Sequence, residues 1–358
     1  MATPARITEQ RTVPNYRQQL RKELPAHYLQ PDYVNLLWFL PHGLIIGGSL
    51  YVLGAAFNWW YAWLFSILIG HSMAGLGFLA HDIAHGGTIR NLRLRDLLAG
   101  IGFSAFGISP ALWRRWHNGD HHTHTQVAGV DPDHLFTIEA YQHKPVLKAL
   151  YRLSPTLRNI VIFAGFSFRM CQQSFAMWRV YLASNKIGPY EKLVMFVQPI
   201  IQMGAWVSLT YWIGGWAVVL MGYVVPLLIA NFLVICYIAT NHFLNPLADE
   251  SDVLETSLSV TLPKWLRWLD PWHQFFGAHV AHHLFPQAPS RYTRKIEEKI
   301  AEMWPDRYHV MPWFEALRTL WNTPWIYDED RVTFIDPTTH EKAPTLGHGL
   351  ENRIKLRR

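Results

Sequence analysis

Hydrophobic positions in this chain fall in two long runs rather than the short alternations of a water-soluble protein. From Tyr33 through His81, and again from Leu193 through Ala248, there is no Lys, Arg, Asp or Glu. A membrane-crossing helix needs ~20 apolar residues to cover ~30 Å of hydrocarbon, so each run is long enough for two crossings joined by a tight turn. The pattern predicts an all-α integral membrane fold with four transmembrane helices in two hairpins, about 34–80 and 193–240. The first turn falls near Phe57-Asn58, with Trp59 and Trp60 suited to the water interface, and Gly214-Gly215 breaks the second run.

The remaining segments divide around these hairpins. Residues 1–32 read as a polar N-terminal cytoplasmic segment in which Pro25 and Pro31 end any local helix. Residues 33–310 form the membrane domain, with 81–192 and 241–310 expected as a helical cap over the spans. Leu97 to Leu112 is uncharged but too short to span, which suits a re-entrant or interfacial helix. The mixed aromatic and basic stretch 134–192, with Phe163, Phe166, Arg169, Trp178 and Arg179, is expected to lie on the membrane apolar face down. Lys264-Trp265-Leu266-Arg267-Trp268 repeats that interfacial pattern. Residues 311–358 form a cytoplasmic C-terminal tail, Pro- and charge-rich beyond Pro324 and expected to be partly ordered at best. No internal repeat of fixed period occurs.

Charge sets the orientation. Every Lys and Arg lies before the first hairpin, between the hairpins or after the second, and the two short turns carry none. The positive-inside rule then puts the N-terminus, the central segment and the C-terminal segment on the cytoplasmic face. The net charge of +6 is scattered rather than gathered into a stripe, which argues against nucleic acid and for anionic lipid head groups. Only two cysteines occur, Cys171 and Cys236, far apart, which excludes a thiolate metal cluster and argues against a disulfide framework. The first thirty or so residues lack the apolar core of a cleaved leader, so the first hairpin is expected to direct insertion.

The chemistry lies in the histidines. Of 19, eight sit in three clusters: His81 and His85; His117, His121 and His122; His279, His282 and His283. In a helix, positions four apart share a face and can grip one metal. An isolated pair of this kind arises by chance, whereas three clusters on one side of a membrane are hard to explain as core histidines. The spacing predicts that His117 and His121 form one such pair with His122 reaching a neighbouring metal, and that His279, His282 and His283 share one helical face. Eight imidazoles exceed what one tetrahedral zinc uses, so two metals are expected. Nitrogen ligands suit iron, copper and zinc alike. A site at the mouth of a lipid-embedded bundle points to redox chemistry on a hydrocarbon chain with dioxygen, and hence to two irons.

These residues carry a resemblance. His81-x3-His85, His117-x3-His121-His122 and His279-x2-His282-His283 resemble the three histidine boxes of the membrane fatty acid desaturases and their hydroxylase relatives. Gly129-Val130-Asp131-Pro132-Asp133, Leu284-Phe285-Pro286 and the stretch Asn241 to Pro246 are similar as well, so the resemblance covers about residues 35–310. It implies a non-haem di-iron centre and a ninth histidine ligand near the end of the last crossing helix, where only His242 stands, with Asn241 as an alternative holder of a metal-bound water. It also implies oxygen-dependent desaturation of an acyl chain on a lipid or coenzyme A. Ligating imidazoles usually donate their second N–H to a carboxylate, for which Asp82, Asp120, Asp131 and Asp133 are candidates, with capping and turn formation as the alternative. His124 is extra to the boxes and is read as solvated or outer-sphere. His42 and His71 lie inside spans and are left outside the site.

No His-Pro-Gly-Gly motif of a fused cytochrome b5 domain is present, so electrons are expected from a separate ferredoxin or cytochrome b5-type donor. Its docking face would use Arg114, Arg115, Lys264 and Arg267. Gly75, Gly77, Phe78 and Trp63 are candidates for the wall of an acyl tunnel. The competing readings are a di-iron hydroxylase or ketolase acting on a carotenoid or other lipid, a membrane zinc amidohydrolase, and a non-catalytic metal transporter. The last would place its ligands at mid-membrane.

Overall fold

The computed structural model describes residues 15–350; the first fourteen residues of the N-terminal segment and the last eight of the C-terminal tail lie outside it. Three helical stretches among the described residues are long and apolar enough to cross a membrane: Tyr33–Ala55, Trp59–His85 and Pro189–His242. Four crossings in two hairpins were expected and three candidate stretches are found, the third of them 54 residues long. It is not straight. Gly214 and Gly215 leave helical geometry, with Gly215 at φ +68, a conformation that favours glycine. Across them Trp206 stacks on Tyr223 with ring centroids 5.7 Å apart, whereas a straight helix would hold positions 206 and 223 about 25 Å apart. The chain therefore folds back on itself and returns as helix Val225–His242.

Local signals start and stop these elements. The Asn58 side chain accepts from the Trp60 N–H at 2.9 Å and opens helix Trp59–His85, and Gly86 at φ +92 closes it. The helix is apolar nearly all round, so Trp60, Trp63 and Ile67 stay exposed toward the surroundings while Ile69, Met73 and Phe78 enter the core. Its 27 residues extend about 40 Å, more than the hydrocarbon needs, and the surplus carries the first histidine box into the cap.

The class is all-α, with six short strands in the cap. The 97–112 segment is a helix ending at Gly102, a 3-10 turn and a short helix from Pro110, too short to span as expected. The 134–192 stretch contains helix Pro155–Ala183. One face of it packs on the last apolar helix, Phe166 against Phe232 and Cys171 against Asn231, while Ile160, Phe168 and Val180 remain exposed. An apolar face reads the same in sequence whether protein or lipid covers it.

The expectation of a partly ordered tail is corrected. Val310–Pro312 pairs in parallel with Ser259–Thr261, helix Trp313–Trp321 follows, and Ile326–Tyr327, Thr333–Ile335 and Lys342–Pro344 build a four-stranded sheet with Phe136–Thr137. Trp313, Leu320, Trp325 and Leu346 join the main core. Strands of two or three residues are too short to show a period, and the prolines and charges between them are turns. At the other end, helix Tyr16–Glu23 buries Tyr16 and Leu20 against Leu284, Ile296 and Ile300, and Arg17 donates to the carbonyl of His283 at 3.1 Å.

Candidate metal centre

Each histidine cluster is presented by a different kind of backbone. His81 and His85 occupy the last turn of helix Trp59–His85 and share a face, with ring centroids 4.6 Å apart. Asp82 points elsewhere: it accepts from the Asn35 side chain and the Ser290 N–H, both at 3.1 Å, and ties the helix end to the cap.

The second cluster lies on a π-helical segment, Arg114–His121, in which the His122 N–H donates to the His117 carbonyl at 2.9 Å. Five-residue spacing puts His122 beside His117, while His121, the expected partner, also lies near His117 in a third group with Asp133, the His117 and His121 rings stacking at 5.1 Å. The third cluster sits on the short α-helix His279–Leu284. There His279 and His283 fall in one group and His282 in the other, although all three rings lie close on the helix, His282 5.6 Å from His279 and 5.7 Å from His283.

The result is two adjoining sets of imidazoles. His81, His85, His117, His122 and His282 form one, and His121, His242, His279 and His283 the other, each set with its ligand atoms within 4.8 Å of one another. In the first, the Nε2 of His117 lies 3.1 Å from those of His81 and His122, and the Nε2 of His122 lies 3.1 Å from that of His282. In the second, the Nε2 of His279 lies 2.7 Å from that of His242 and 3.0 Å from that of His283. Metal–imidazole bonds of about 2.1 Å put neighbouring nitrogens of a six-coordinate ion about 3.0 Å apart, so these separations fit the edges of coordination polyhedra. The sets touch: the His122 and His283 rings stack at 4.3 Å.

Chemistry supports the same fit. All nine rings are buried except the half-buried His282, and the Nε2 of His85 has no hydrogen-bond partner. Such orphaned buried nitrogens are costly unless something binds them. Burial, reinforced by neighbouring imidazoles, holds His117, His122, His279, His282 and His283 well below the ordinary histidine pKa, so they are neutral and keep a lone pair for a cation. For His121 burial acts the same way, but the Asp131 carboxylate outweighs it and raises the pKa.

Partners outside the two sets are unequal. The Nδ1 of His121 lies 2.9 Å from Asp131 Oδ1 and 3.4 Å from Asp133 Oδ2. The Nδ1 of His283 lies 3.2 Å from Thr125 Oγ1, whose hydroxyl donates to the His121 carbonyl, so the imidazole N–H donates to Thr125. Gln126, at φ +61, donates its backbone N–H to Asp131 Oδ2 at 2.8 Å and its side-chain amide to the His242 carbonyl. Of the four candidate carboxylates, Asp131 and Asp133 therefore reach a histidine. Asp82 does not, and Asp120 accepts instead from Tyr181 at 2.6 Å. Thr125, Gln126 and Trp113 escaped the sequence reading. Trp113, which stacks on His117 at 4.4 Å, stands four positions before it, and that spacing was the available signal.

Other expectations divide. His124 is exposed against Thr123 and Asp120, outside both sets. His71 meets His273 at 2.9 Å, and His273 accepts from Tyr237, a chain apart from the centre. Arg114 and Arg115 pair internally with Asp96 and Glu191, whereas Lys264 and Arg267 are exposed. A narrow apolar pocket reaches His81 and His117 between Gly77, Phe78, Phe103, Phe106 and Trp113. Trp63 faces outward and Gly75 packs against His42, so neither lines that pocket.

The fatty acid desaturase family model matches residues 57–315. An omega-6 fatty acid desaturase of Spinacia oleracea chloroplasts is 25% identical over 80% of this chain and 64% of its own length. The corresponding Arabidopsis thaliana protein is 23% identical over 84% of the chain and 68% of its own length. An sn-1 acyl-lipid omega-3 desaturase (ferredoxin) of Synechocystis is 25% identical over 85% of this chain and 86% of that relative. The chain thus spans about two thirds of the length of the two plastid relatives.

Proposed function

Because the chain belongs to the fatty acid desaturase family, we propose that it desaturates acyl chains carried on a lipid or coenzyme A, with dioxygen, at a di-iron centre. His81, His85, His117, His122 and His282 would hold one iron and His121, His242, His279 and His283 the other. The observation that carries this reading is the convergence of nine imidazoles, from three distant boxes and the last apolar helix, into two touching sets. When bound, the irons with dioxygen and two electrons supply the oxidant that takes one hydrogen from each of two neighbouring methylenes.

The chain's own residues do the rest. Phe78, Phe103, Phe106 and Trp113 orient the acyl chain in the apolar pocket beside His81 and His117 and keep water away. Asp131 holds the proton on His121 Nδ1, which leaves Nε2 free for the metal. Thr125 does the same for His283.

The folded-back 54-residue stretch supplies two crossings, which with the first pair makes four. The distribution of Lys and Arg supports a cytoplasmic centre. Electrons would come from an acidic ferredoxin or cytochrome b5-type donor docking at exposed Lys264 and Arg267; the name of the Synechocystis relative includes ferredoxin.

The test is expression in a host lacking the activity, with fatty acid profiling of extracted lipids and metal analysis of the purified chain. New double bonds and about two irons per chain are expected. Oxygenated products without new double bonds, or about one zinc per chain, would overturn the reading.

A further inference from the structure

A buried polar chain stands one ring away from the histidine sets. The Tyr237 hydroxyl lies 3.1 Å from His273 Nδ1, and His273 Nε2 lies 2.9 Å from His71 Nε2. Tyr237 Oη has no other partner among the described residues, so its O–H donates to His273, which in turn donates its Nε2–H to His71. Phe276 lies 6.0 Å from the Tyr237 ring, 5.0 Å from His81 and 5.4 Å from His279. A single ring therefore separates this tyrosine from one ligand of each set. Tyr237 also stacks on Trp313 at 4.8 Å, and Trp313 meets the exposed Phe314 at 5.3 Å.

Other tyrosines lack one half of this arrangement. Tyr151, Tyr223 and Tyr327 donate to main-chain carbonyls, which take up no proton. Tyr16 and Tyr181 donate to carboxylates, but no ring contact joins either to a ligand histidine among the described residues. The difference matters because losing an electron turns a phenol into a strong acid, so its oxidation needs a base at the hydroxyl. Burial, reinforced by His71 and His42, keeps His273 neutral with its pKa pushed down to about 3, and an oxidised phenol is far more acidic than that. A centre that activates dioxygen also needs such an outlet, since an oxidant with no methylene in reach attacks the C–H bonds of its own ligands and pocket wall.

We propose that Tyr237 is a redox-active tyrosine that discharges the centre when no acyl chain is held, with His273 as its proton acceptor. Tyr237 gives one electron by way of Phe276 to the dioxygen-oxidised metal pair and its hydroxyl proton to His273 Nδ1, which leaves a neutral tyrosyl radical. An electron arriving through stacked Trp313 from the external donor, and the same proton returning from His273, restore the phenol. The proposal rests on the desaturase reading for its oxidant.

The test is electron paramagnetic resonance of the iron-loaded, dithionite-reduced full chain, exposed to dioxygen and frozen without acyl lipid. A tyrosyl radical signal is expected, narrowed by growth on ring-deuterated tyrosine and weaker in the presence of the acyl lipid that profiling identifies as substrate. Tyr237→Phe should lose the signal while keeping its iron. His273→Gln, whose amide accepts a hydrogen bond but takes up no proton, should lose it with Tyr237 still in place, and this variant stands in if Tyr237→Phe fails to fold by circular dichroism. An undiminished signal in either folded variant, a signal that the lipid leaves unchanged, or an iron-loaded wild-type chain that desaturates without showing one overturns the proposal. Iron and desaturation are measured on the same samples, so a chain that holds no iron is told apart and overturns the desaturase reading as well.

Discussion

The two histidine sets are built from the same residue type yet supported in opposite ways. In the set of His81, His85, His117, His122 and His282 no imidazole has a side-chain hydrogen bond outside the boxes among the described residues. Its backing is aromatic, with Trp113 within 5.2 Å of three rings and Phe276 5.0 Å from His81. In the set of His121, His242, His279 and His283, Asp131 and Thr125 hold two of the rings, while Gln126 and Arg17 hold the backbone of His242 and His283. The aromatic-backed set borders the narrow pocket, whose lining is apolar apart from His81, His117, Asp133 and Gln173. The other is free to use hydrogen bonds, which fix tautomer and ring direction at little cost to the substrate path.

The largest effect expected from breaking this arrangement is on the ligands themselves. Replacing His121 or His283 with Ala should abolish both desaturation and iron retention, measured as product and iron per chain. An active, iron-replete variant would refute the assignment.

Next comes the polar support. Asp131→Asn should cost about 10- to 100-fold in iron affinity or turnover, because it removes the acceptor for His121 Nδ1. Asp82→Asn, a carboxylate equally near a box but bonded to Asn35 and Ser290, should spare iron affinity and lower stability by about 1–3 kcal/mol. Equal effects of the two on iron binding would erase the distinction between them.

On the aromatic side, Gly77→Val should slow turnover of long acyl chains while leaving iron content intact. A Cβ at Gly77 already meets Phe106 at 3.0 Å, so added bulk narrows the pocket and not the ligand cage. Loss of iron in this variant would show that pocket and cage are not separable.

A last effect, which changes no side chain, is on pH dependence. Folding depresses the pKa of His117, His122, His279, His282 and His283, so below about 6.5 the unfolded chain takes up protons that the metal-free folded chain refuses. Stability is full above that pH and falls as pH drops, by at most about 1.4 kcal/mol per pH unit for each such histidine. Thermal unfolding of the metal-free protein between pH 7 and 5 should show the decline, and iron loading should blunt it. A flat profile would mean these rings are hydrated.

Much of this was readable along the chain. Uncharged runs located the apolar helices because hydrocarbon tolerates no charge, and the boxes located the imidazoles that converge, because a metal needs several nitrogens from rigid neighbours. Gly214-Gly215 marked the reversal for the same local reason that glycine marks any chain that leaves helical geometry. The tail was misread, since Phe334 and Tyr327 are fully buried in strands too short to carry a period.

Residue type and spacing by themselves thus determined where along the chain the candidate ligand imidazoles stand, since both are properties of short stretches. Which imidazole joins which set was decided only by the tertiary structure. His122 from the π-helical segment and His282 from the short cap helix meet His81, His85 and His117, while His121, His279 and His283 meet His242, because the direction of a side chain depends on how its backbone winds and on what that backbone packs against.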